Sequence, residues 1–220
     1  MNPVSIVTNA LTGLYDLGGP VVMVLFVVSI LTLAVVLYKL WQFRAAGVGR
    51  HVHLKAAVEA WDAGDYPRAQ SLAEASRGYL GPVVEQAMGQ ARGGATASDR
   101  ADAEAEARFS KLEGGLGLLD IVAQLAPLLG LFGTVLGMID AFRALQSAGN
   151  SVDPSQLAGG IWVALLTTAA GLLVAMPTSL LLTWLDARLR RDRVLANRLL
   201  RTVFAPVTSR PVEAELRHVG

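Results

Sequence analysis

The sequence contains no cysteine, so disulfide bonds and thiolate metal sites are excluded. Charged residues are scarce, at 17% of the chain compared with about 25% in an average soluble domain. Positive and negative charges nearly cancel, to a formal net charge of +1, so the chain has no overall attraction for nucleic acid. These shortages exclude a disulfide-rich secreted domain and leave no reason to expect a nucleic-acid partner.

Three long apolar stretches contain no charged residue. They run from Gly19 to Tyr38, between Asp120 and Asp140, and between Asp153 and Asp186. A membrane-spanning helix needs roughly 20 apolar residues, so each stretch is long enough to cross a bilayer. The first stretch has no Lys or Arg before it and is longer than the core of a signal peptide, so a retained helix is expected.

Basic residues are distributed unevenly around these stretches. None precedes the first stretch, only Arg143 lies between the second and the third, and all others lie within 39–111 and 188–217. Because cytoplasmic flanks collect Lys and Arg, the N-terminus is expected outside and the C-terminus inside. The predicted fold class is all-α: an integral membrane protein with three transmembrane helices, and long helices that extend into a cytoplasmic helical bundle.

The predicted order of segments follows from the three crossings. Gly18-Gly19-Pro20 is expected to end an outer helix and open the first crossing. From Ser98 or Asp99 to Phe142 few residues would stop a helix, so one helix of about 40 residues is expected there. The predicted segments are a periplasmic segment 1–18, transmembrane helix 19–39, a cytoplasmic helical domain 40–115, transmembrane helix 116–142, a periplasmic loop 143–158, transmembrane helix 159–185, and a cytoplasmic C-terminal helix and tail 186–220.

The second and third crossings each carry a stripe of small residues at steps of three and four, which places each stripe on one helix face. One hydroxyl lies near the middle of each stripe, at Thr134 and at Thr168. Each is about 12–13 Å below the outer end of its helix, so a ring of subunits would bring them to one level. The stripes are Ala123, Pro127, Gly130, Thr134, Gly137 and Ala141, and Gly160, Ala164, Thr168, Gly171, Ala175 and Thr178.

Two interpretations of these stripes are open. Small residues can serve only to pack helices closely, with each threonine bonded to its own helix. Alternatively the stripes line a passage, in which hydroxyls donate and accept hydrogen bonds. No Asp, Glu, His, Lys or Arg lies within the three apolar stretches, so proton conduction would need an acid from another chain. Pro127 and Pro177 are candidate helix kinks, with tolerated breaks in a packed bundle as the alternative.

Two motifs point to a known family. They are Ala-Pro-Leu-Leu-Gly-Leu-Phe-Gly-Thr-Val-Leu-Gly-Met-Ile at 126–139 and Ala-Leu-Leu-Thr-Thr-Ala-Ala-Gly-Leu-Leu-Val-Ala-Met-Pro at 164–177. The chain resembles the ExbB/TolQ/MotA family of proton-channel subunits, closely over about 107–186. Three crossings rather than four favour the ExbB/TolQ branch.

The resemblance implies an assembly and a location. It implies a homopentamer in the bacterial inner membrane around a central pore, which holds a dimer of ExbD- or TolR-like single-span subunits. Each of those subunits supplies an aspartate that carries protons, and a TonB- or TolA-like protein receives the mechanical work. The system that is energised, and the choice of proton over sodium, are left open. A solute permease subunit and a passive membrane scaffold are the alternatives.

The resemblance also assigns residues. Family pore threonines correspond to Thr134 and Thr168, and Val163 stands where the family usually has a glutamate. Asp140 and Asp120 are candidate charges at the outer and inner mouths, or simply solvated helix-end charges. The candidate pore-lining residues are Thr134, Thr168, Gly130, Gly137, Ala164, Gly171 and Ala175.

The remaining candidates are weak. His51 and His53 form a His-x-His pair, but with no further histidine nearby and no cysteine a metal site is not expected. The arginines at 188, 190, 191 and 193 are expected at anionic membrane lipids, with a cytoplasmic partner as the lesser option. No nucleophile–base pair, phosphate loop or ligand set is visible, so neither enzyme chemistry nor a cofactor is expected.

Overall fold

The computed structural model describes residues 3–147 and 154–207. Within these ranges the chain forms seven α-helices and one short 3₁₀ helix at Ala91–Gly93, with no β-strand, which confirms the all-α fold. The α-helices are α1 (Pro3–Ala46), α2 (Val52–Asp62), α3 (Tyr66–Glu74), α4 (Gly81–Gly89), α5 (Gly94–Glu113), α6 (Leu116–Ser147) and α7 (Pro154–Phe204).

The described residues belong to two compact units. The spanning unit is drawn from Met1–Tyr38 and Gly115–Thr183, and the polar unit from Lys39–Gly114 and Trp184–Gly220. Each of α1, α6 and α7 contains a stretch long and apolar enough to cross a membrane. The three predicted crossings are therefore confirmed by length and composition.

The predicted break before the first crossing is present inside α1. Gly19 adopts φ 64° and ψ −162°, which is not helical and which only glycine adopts without strain. Pro20 follows directly and has no N–H to donate, so it is suited to the first turn of a new helical segment. The apolar part of α1 therefore begins at this point.

The single helix expected from about Ser98 to Phe142 is wrong. α5 starts earlier, at Gly94, and ends at Glu113, and a separate helix α6 begins at Leu116. Gly115 between them adopts φ 84°, the left-handed conformation that commonly ends a helix at a glycine. The adjacent glycines at 114 and 115 thus stop α5, although helix-forming residues flank them on both sides.

The helices flanking the short loop extend further than the predicted loop 143–158 allows. α6 continues to Ser147, and α7 begins at Pro154, a residue favoured in a first helical turn. Helix ends are set by local hydrogen bonding and need not coincide with the limits of an apolar run. At its other end α7 continues to Phe204.

The polar unit has a core built from residues far apart in sequence. Leu54 of α2, Leu80 before α4 and Phe109 of α5 are each at most 1% exposed. The distal part of α7 contributes one face at steps of three and four to this core. These residues of α7 are Leu185, Leu189, Ala196, Leu199, Leu200 and Val203.

Lys39 is a charged residue of the polar unit that is almost fully buried, at 2% exposed. Its Nζ donates hydrogen bonds to Gln42 Oε1 at 2.7 Å and to the carbonyl oxygen of Leu112 at 3.1 Å. Leu112 lies in the last turn of α5, where carbonyl groups lack helical partners and attract cations. Lys39 therefore caps α5 directly before the break that starts α6.

Candidate functional site

Glycines allow α6 and α7 to approach until their backbones are in contact. A Cβ atom on Gly130 of α6 would lie 2.8 Å from the carbonyl oxygen of Thr167. A Cβ atom on Gly171 of α7 would lie 2.5 Å from the carbonyl oxygen of Ala126. Both distances are too short for any side chain, so the interface requires glycine at these positions.

The contacts define an antiparallel register between the two helices. Gly137 lies opposite Ala164, Ala141 opposite Gly160, and Gly130 opposite Gly171. In this register Thr134 lies opposite Thr167, and Thr168 is one residue, or about 1.5 Å of helical rise, from the same level. The hydroxyl-bearing residues Thr134 and Thr168 therefore lie at nearly one level along the helix pair.

The two predicted pore threonines are partly exposed, whereas Gly130 and Gly171 between the helices are buried. Thr134 is partly exposed, and its Oγ1 donates to the carbonyl oxygen of Leu131 at 2.6 Å. Thr168 is also partly exposed, and its Oγ1 lies 3.4 Å from the carbonyl oxygen of Gly130. Each hydroxyl oxygen keeps acceptor capacity beyond these bonds.

The predicted small residues pack within the chain. Gly130, Gly137, Ala164 and Gly171 lie between α6 and α7. Ala175 is 5% exposed and belongs to a small core with Leu25 of α1 and Ala126 of α6. Helix packing is thus a role that these residues have in the single chain.

The predicted charges and prolines lie around this interface. Asp120 is exposed and accepts a hydrogen bond from Gln124 Nε2 at 2.8 Å. The Asp140 side chain is 77% exposed, and its Oδ1 lies 3.9 Å from Arg143 Nη1. Pro127 is half-buried inside α6 and Pro177 is exposed inside α7.

The faces of α6 and α7 that carry bulky residues are open in the single chain. Leu128, Leu131 and Phe132 of α6 are each more than half exposed, as are Leu173 and Leu180 of α7. Exposed apolar surface on this scale is typical of contact with lipid or with another subunit. The small-residue faces are covered, whereas the leucine-rich faces are uncovered.

A second constellation lies in the polar unit around Asp192 of α7. Three groups donate hydrogen bonds to its Oδ2 atom: His51 Nε2 at 2.7 Å, the backbone N–H of Gly49 at 3.0 Å, and the hydroxyl of Tyr79 at 3.0 Å. His51 and Asp192 are each 4% exposed. One carboxylate oxygen therefore joins α7 to two loops that precede α2 and α4.

The environment shifts the acidity of this cluster. Burial by itself would raise the pKa of the Asp192 carboxyl, but the hydrogen bonds and charge of His51, together with the Gly49 and Tyr79 bonds, lower it below its usual 3.8. Burial, followed by the charge of Asp192, raises the pKa of the Tyr79 hydroxyl far above its ordinary value. Asp192 is therefore charged and Tyr79 is a donor at neutral pH.

Comparison with known proteins identifies the family. Residues 77–196, more than half of the chain, match the model of the MotA/TolQ/ExbB proton channel family. The chain belongs to this family. The matched range includes α4, α5, α6 and most of α7, and hence the whole small-residue interface between α6 and α7.

Relatives within the MotA/TolQ/ExbB family carry the names of both predicted branch members. The biopolymer transport protein ExbB1 of Vibrio cholerae is 47% identical over 76 residues, 33% of each chain. A putative ExbB-like protein of Synechocystis is 46% identical over 77 residues, 34% of this chain and 30% of the relative. The Tol-Pal system protein TolQ of Haemophilus influenzae is 42% identical over 69 residues, 31% of this chain and 30% of the relative.

These matches support the ExbB/TolQ branch of the MotA/TolQ/ExbB family. The chain spans about a third of the length of the relatives it matches.

Two residues of the interface are not identified by the predicted stripes. Thr167 is 1% exposed, and its Oγ1 lies 2.7 Å from the carbonyl oxygen of Ala164 and 3.2 Å from that of Gly130. Gly133 is buried, and a Cβ atom there would lie 2.7 Å from the Thr167 side chain. Thr167 is three positions after Ala164, and Gly133 is three positions after Gly130. Stripes widened to include such neighbouring positions would contain both residues.

Proposed function

We propose that the chain is a proton-conducting stator subunit of an inner-membrane motor of the TonB or Tol-Pal type. In this proposal five copies form a ring with the N-terminus outside and the C-terminus in the cytoplasm, and the chain has no enzymatic role. The ring encloses a dimer of single-span ExbD- or TolR-like subunits. A proton flow through the ring drives movement of that dimer, which acts on a TonB- or TolA-like partner.

One observation carries the proposal. Thr134 and Thr168 lie at nearly one level on antiparallel helices whose apolar stretches contain no ionisable residue. Both remain partly exposed, whereas Gly130, Gly133 and Gly171 near them are buried. In a chain of the MotA/TolQ/ExbB proton channel family, such a pair is suited to face an ionisable group brought by a partner.

The proposed chemistry is solvation of an acid. A carboxylate within a bilayer carries a large desolvation cost, and a partner that supplies one needs polar groups around it. A threonine hydroxyl donates to the carboxylate and accepts from the protonated acid. Thr134 and Thr168 would therefore support both protonation states of the partner's aspartate without storing a proton themselves.

Val163 supports a mechanism in which the acid belongs to the partner. It is half-buried and apolar at the position where the family usually has a glutamate. With no acid from this chain in the apolar stretch of α7 that ends before Asp186, the proton-carrying group must come from the single-span subunit. Asp120 and Asp140 lie beyond the ends of the apolar stretch of α6, and any part they play would be attraction of cations to the two mouths.

The experiment is proton flux into proteoliposomes that contain the chain together with its co-purified single-span partner. Thr134→Val and Thr168→Val keep the side-chain shape and remove the hydroxyl, so each is expected to lower the flux at least about tenfold while the complex still assembles. Replacing protons with a sodium gradient in the same vesicles tests the choice of ion.

Thr32→Val is the matched control. Thr32 is 6% exposed on α1, and its Oγ1 donates to the carbonyl oxygen of Val28 at 2.7 Å. This variant loses the same hydroxyl from an apolar helix that is not proposed to line the pore, so its flux should stay near wild type. Equal flux in all three variants would favour a passive scaffold, and uptake of a solute without proton flux would favour a permease.

A further inference from the structure

A basic cavity lies in the polar unit beside the Asp192 cluster. It has a volume of about 300 Å³, and Gly49, His51, Lys55, Arg188, Arg191 and Asp192 are among its lining residues. Three of these carry a fixed positive charge, and Asp192 is the only acid among the lining residues. The cavity therefore has an excess of positive charge.

The three cations have no carboxylate partner within the part of the chain that the structure describes. Arg188 Nη2 donates to the carbonyl oxygen of Val48 at 3.1 Å, and Arg191 Nε donates to that of Ala187 at 3.2 Å. By contrast Arg193, on the same helix, lies 2.9 Å from one glutamate on α5 and 2.9 Å from another. The cavity thus brings together three cations that have no acid partner among the described residues.

The carboxylate of Asp192 does not neutralise them. Its Oδ2 atom already accepts hydrogen bonds from His51, Gly49 and Tyr79. Neither Lys55 nor the two cavity arginines forms an ion pair with it. Three donors on one oxygen fix the acid in place and leave the cavity arginines and Lys55 available to another anion.

The N-terminus of α2 opens on the same cavity. Its N-cap residue His51 makes no hydrogen bond from its side chain to the first helical turn, so the N–H groups of that turn have no side-chain cap. Val52 at the first helical position lines the cavity and is 78% exposed. Uncapped N–H groups at the positive end of a helix favour an anion.

The identity of the anion follows from the arrangement of these groups. Two guanidinium groups, an ammonium group and a helix N-terminus line one cavity, and this combination of groups is suited to a phosphate. Arg188 also lies 5.7 Å from the centre of the Trp184 ring, and tryptophan is enriched at membrane interfaces.

We propose that this cavity binds a phosphate group, held by Lys55, Arg188, Arg191 and the N-terminus of α2. The group belongs either to the headgroup of an anionic phospholipid or to free phosphate in solution, and the proximity of Trp184 to Arg188 favours the lipid. Gly49 contributes space, because a Cβ atom there would collide with the Arg188 guanidinium.

The test uses the full chain purified in detergent, with bound lipid counted by native mass spectrometry during titration with phosphatidylglycerol or phosphatidylcholine. Lys55 and Arg191 are both exposed, so a K55Q/R191Q double variant should fold normally. Its affinity for phosphatidylglycerol is expected to fall at least about tenfold. Inorganic phosphate added as a competitor tests the soluble source.

The matched control removes the same charge from the same unit. Arg190 and Arg201 are exposed on α7 and do not line the cavity. R190Q/R201Q should change the affinity by no more than about twofold, because screened surface charges act weakly. Equal losses in the two double variants would overturn the site and leave only a general attraction of basic residues to lipid.

A third variant acts without removing a cation. Val52→Asp places an acid in the first turn of α2, where it stabilises the helix and lies one turn before Lys55. It should preserve the fold and weaken phosphatidylglycerol binding at least about fivefold. Unchanged phosphatidylglycerol binding in Val52→Asp would overturn the proposal. So would a wild-type chain that binds phosphatidylcholine as tightly as phosphatidylglycerol and whose lipid binding is not reduced by phosphate. Displacement of the lipid by phosphate at millimolar concentration would assign the site to soluble phosphate.

Discussion

The hydroxyl of Thr167 on α7 lies 3.2 Å from the carbonyl oxygen of Gly130 on α6, across an interface with no room for a side chain at Gly130. The same carbonyl oxygen is 3.4 Å from the hydroxyl of Thr168. A single backbone oxygen of α6 therefore lies within hydrogen-bond distance of two adjacent threonines of α7. One of the two is a predicted pore residue, so the packing of the interface and the placement of that hydroxyl are coupled.

Replacing Thr167 with Val tests this hydrogen bond. The substitution keeps the shape of a 1% exposed side chain and removes its donor, so the free energy of unfolding should fall by about 1 kcal/mol. Thermal unfolding in detergent, followed by circular dichroism, measures the change. Thr167→Ser retains the donor and should lie closer to wild type in spite of a lost methyl group. The hydrogen bond would have no role if serine were the worse of the two.

A methyl group at Gly171 should separate α6 from α7. The added Cβ atom would lie 2.5 Å from a backbone oxygen of Ala126, which cannot move without shifting the helix. Gly171→Ala is expected to lower the free energy of unfolding by about 1–3 kcal/mol. Gly159→Ala is the control, since nothing lies within 4 Å of a Cβ atom there. Equal stability of the two variants would contradict the observed backbone contact.

The Asp192 cluster predicts a loss of stability in acid. Because the pKa of Asp192 is lower in the folded chain than its usual 3.8, the carboxylate stabilises the fold above that pH. The stabilisation is lost as the pH falls through the lowered value, and it is present at neutral pH. Thermal unfolding midpoints between about pH 2 and pH 7 measure this dependence.

Asp192→Asn is the comparison for that measurement. The variant leaves three donors, of which His51 is buried, facing a neutral amide, so it should lose about 1–3 kcal/mol at neutral pH and a large part of the acid dependence. Asp99→Asn, at an exposed position on α5, should retain the wild-type profile. An unchanged acid profile in Asp192→Asn would show that other carboxylates are responsible.

The charges at the two ends of the α6 apolar stretch are expected to contribute little to conduction. The Asp140 side chain is 77% exposed and its distance to Arg143 is 3.9 Å, so its field is screened by solvent. Asp120 is also exposed. Asp120→Asn and Asp140→Asn should each change proton flux by less than about twofold at physiological salt. A tenfold loss in either variant would assign that residue to the mouth of the pore.

The three crossings were predictable because absence of charge over a long stretch is a strong signal that depends on no tertiary contact. The break between α5 and α6 was not predicted, although Gly114 and Gly115 provide a local stop signal. Strong helix formers precede the pair and an apolar run follows it. This pattern favours one continuous helix in spite of the two glycines. The positive φ of Gly115 shows that the local backbone conformation separates α5 from α6.

The candidate site was predictable in part, for a related reason. Steps of three and four identify the face that contains Gly130 and Gly171, but they cannot say which surface covers it. The structure covers it with the neighbouring helix of the same chain. Thr167 differs from its neighbour Thr168 only by a rotation around the helix, and tertiary packing alone separates the buried hydroxyl from the partly exposed one.

The Asp192 cluster could not be predicted from sequence patterns. His51 and Asp192 are 141 residues apart, and no periodicity relates them. In the sequence His51 belongs to a His-x-His pair, and Asp192 lies within a run dominated by arginine. Their contact depends on the continuation of α7 into the polar unit.

Because α7 continues into the polar unit, that unit cannot finish folding until α7 has been synthesised. Residues 39–114 emerge early, but Leu185, Leu189, Leu200 and Val203, which complete their core, are translated only after two further crossings. Until then the newly made helices expose an apolar groove that the distal part of α7 later fills. A nascent chain arrested before Trp184 should therefore be a substrate for chaperones and proteases, and release of the finished chain is the step that closes the groove.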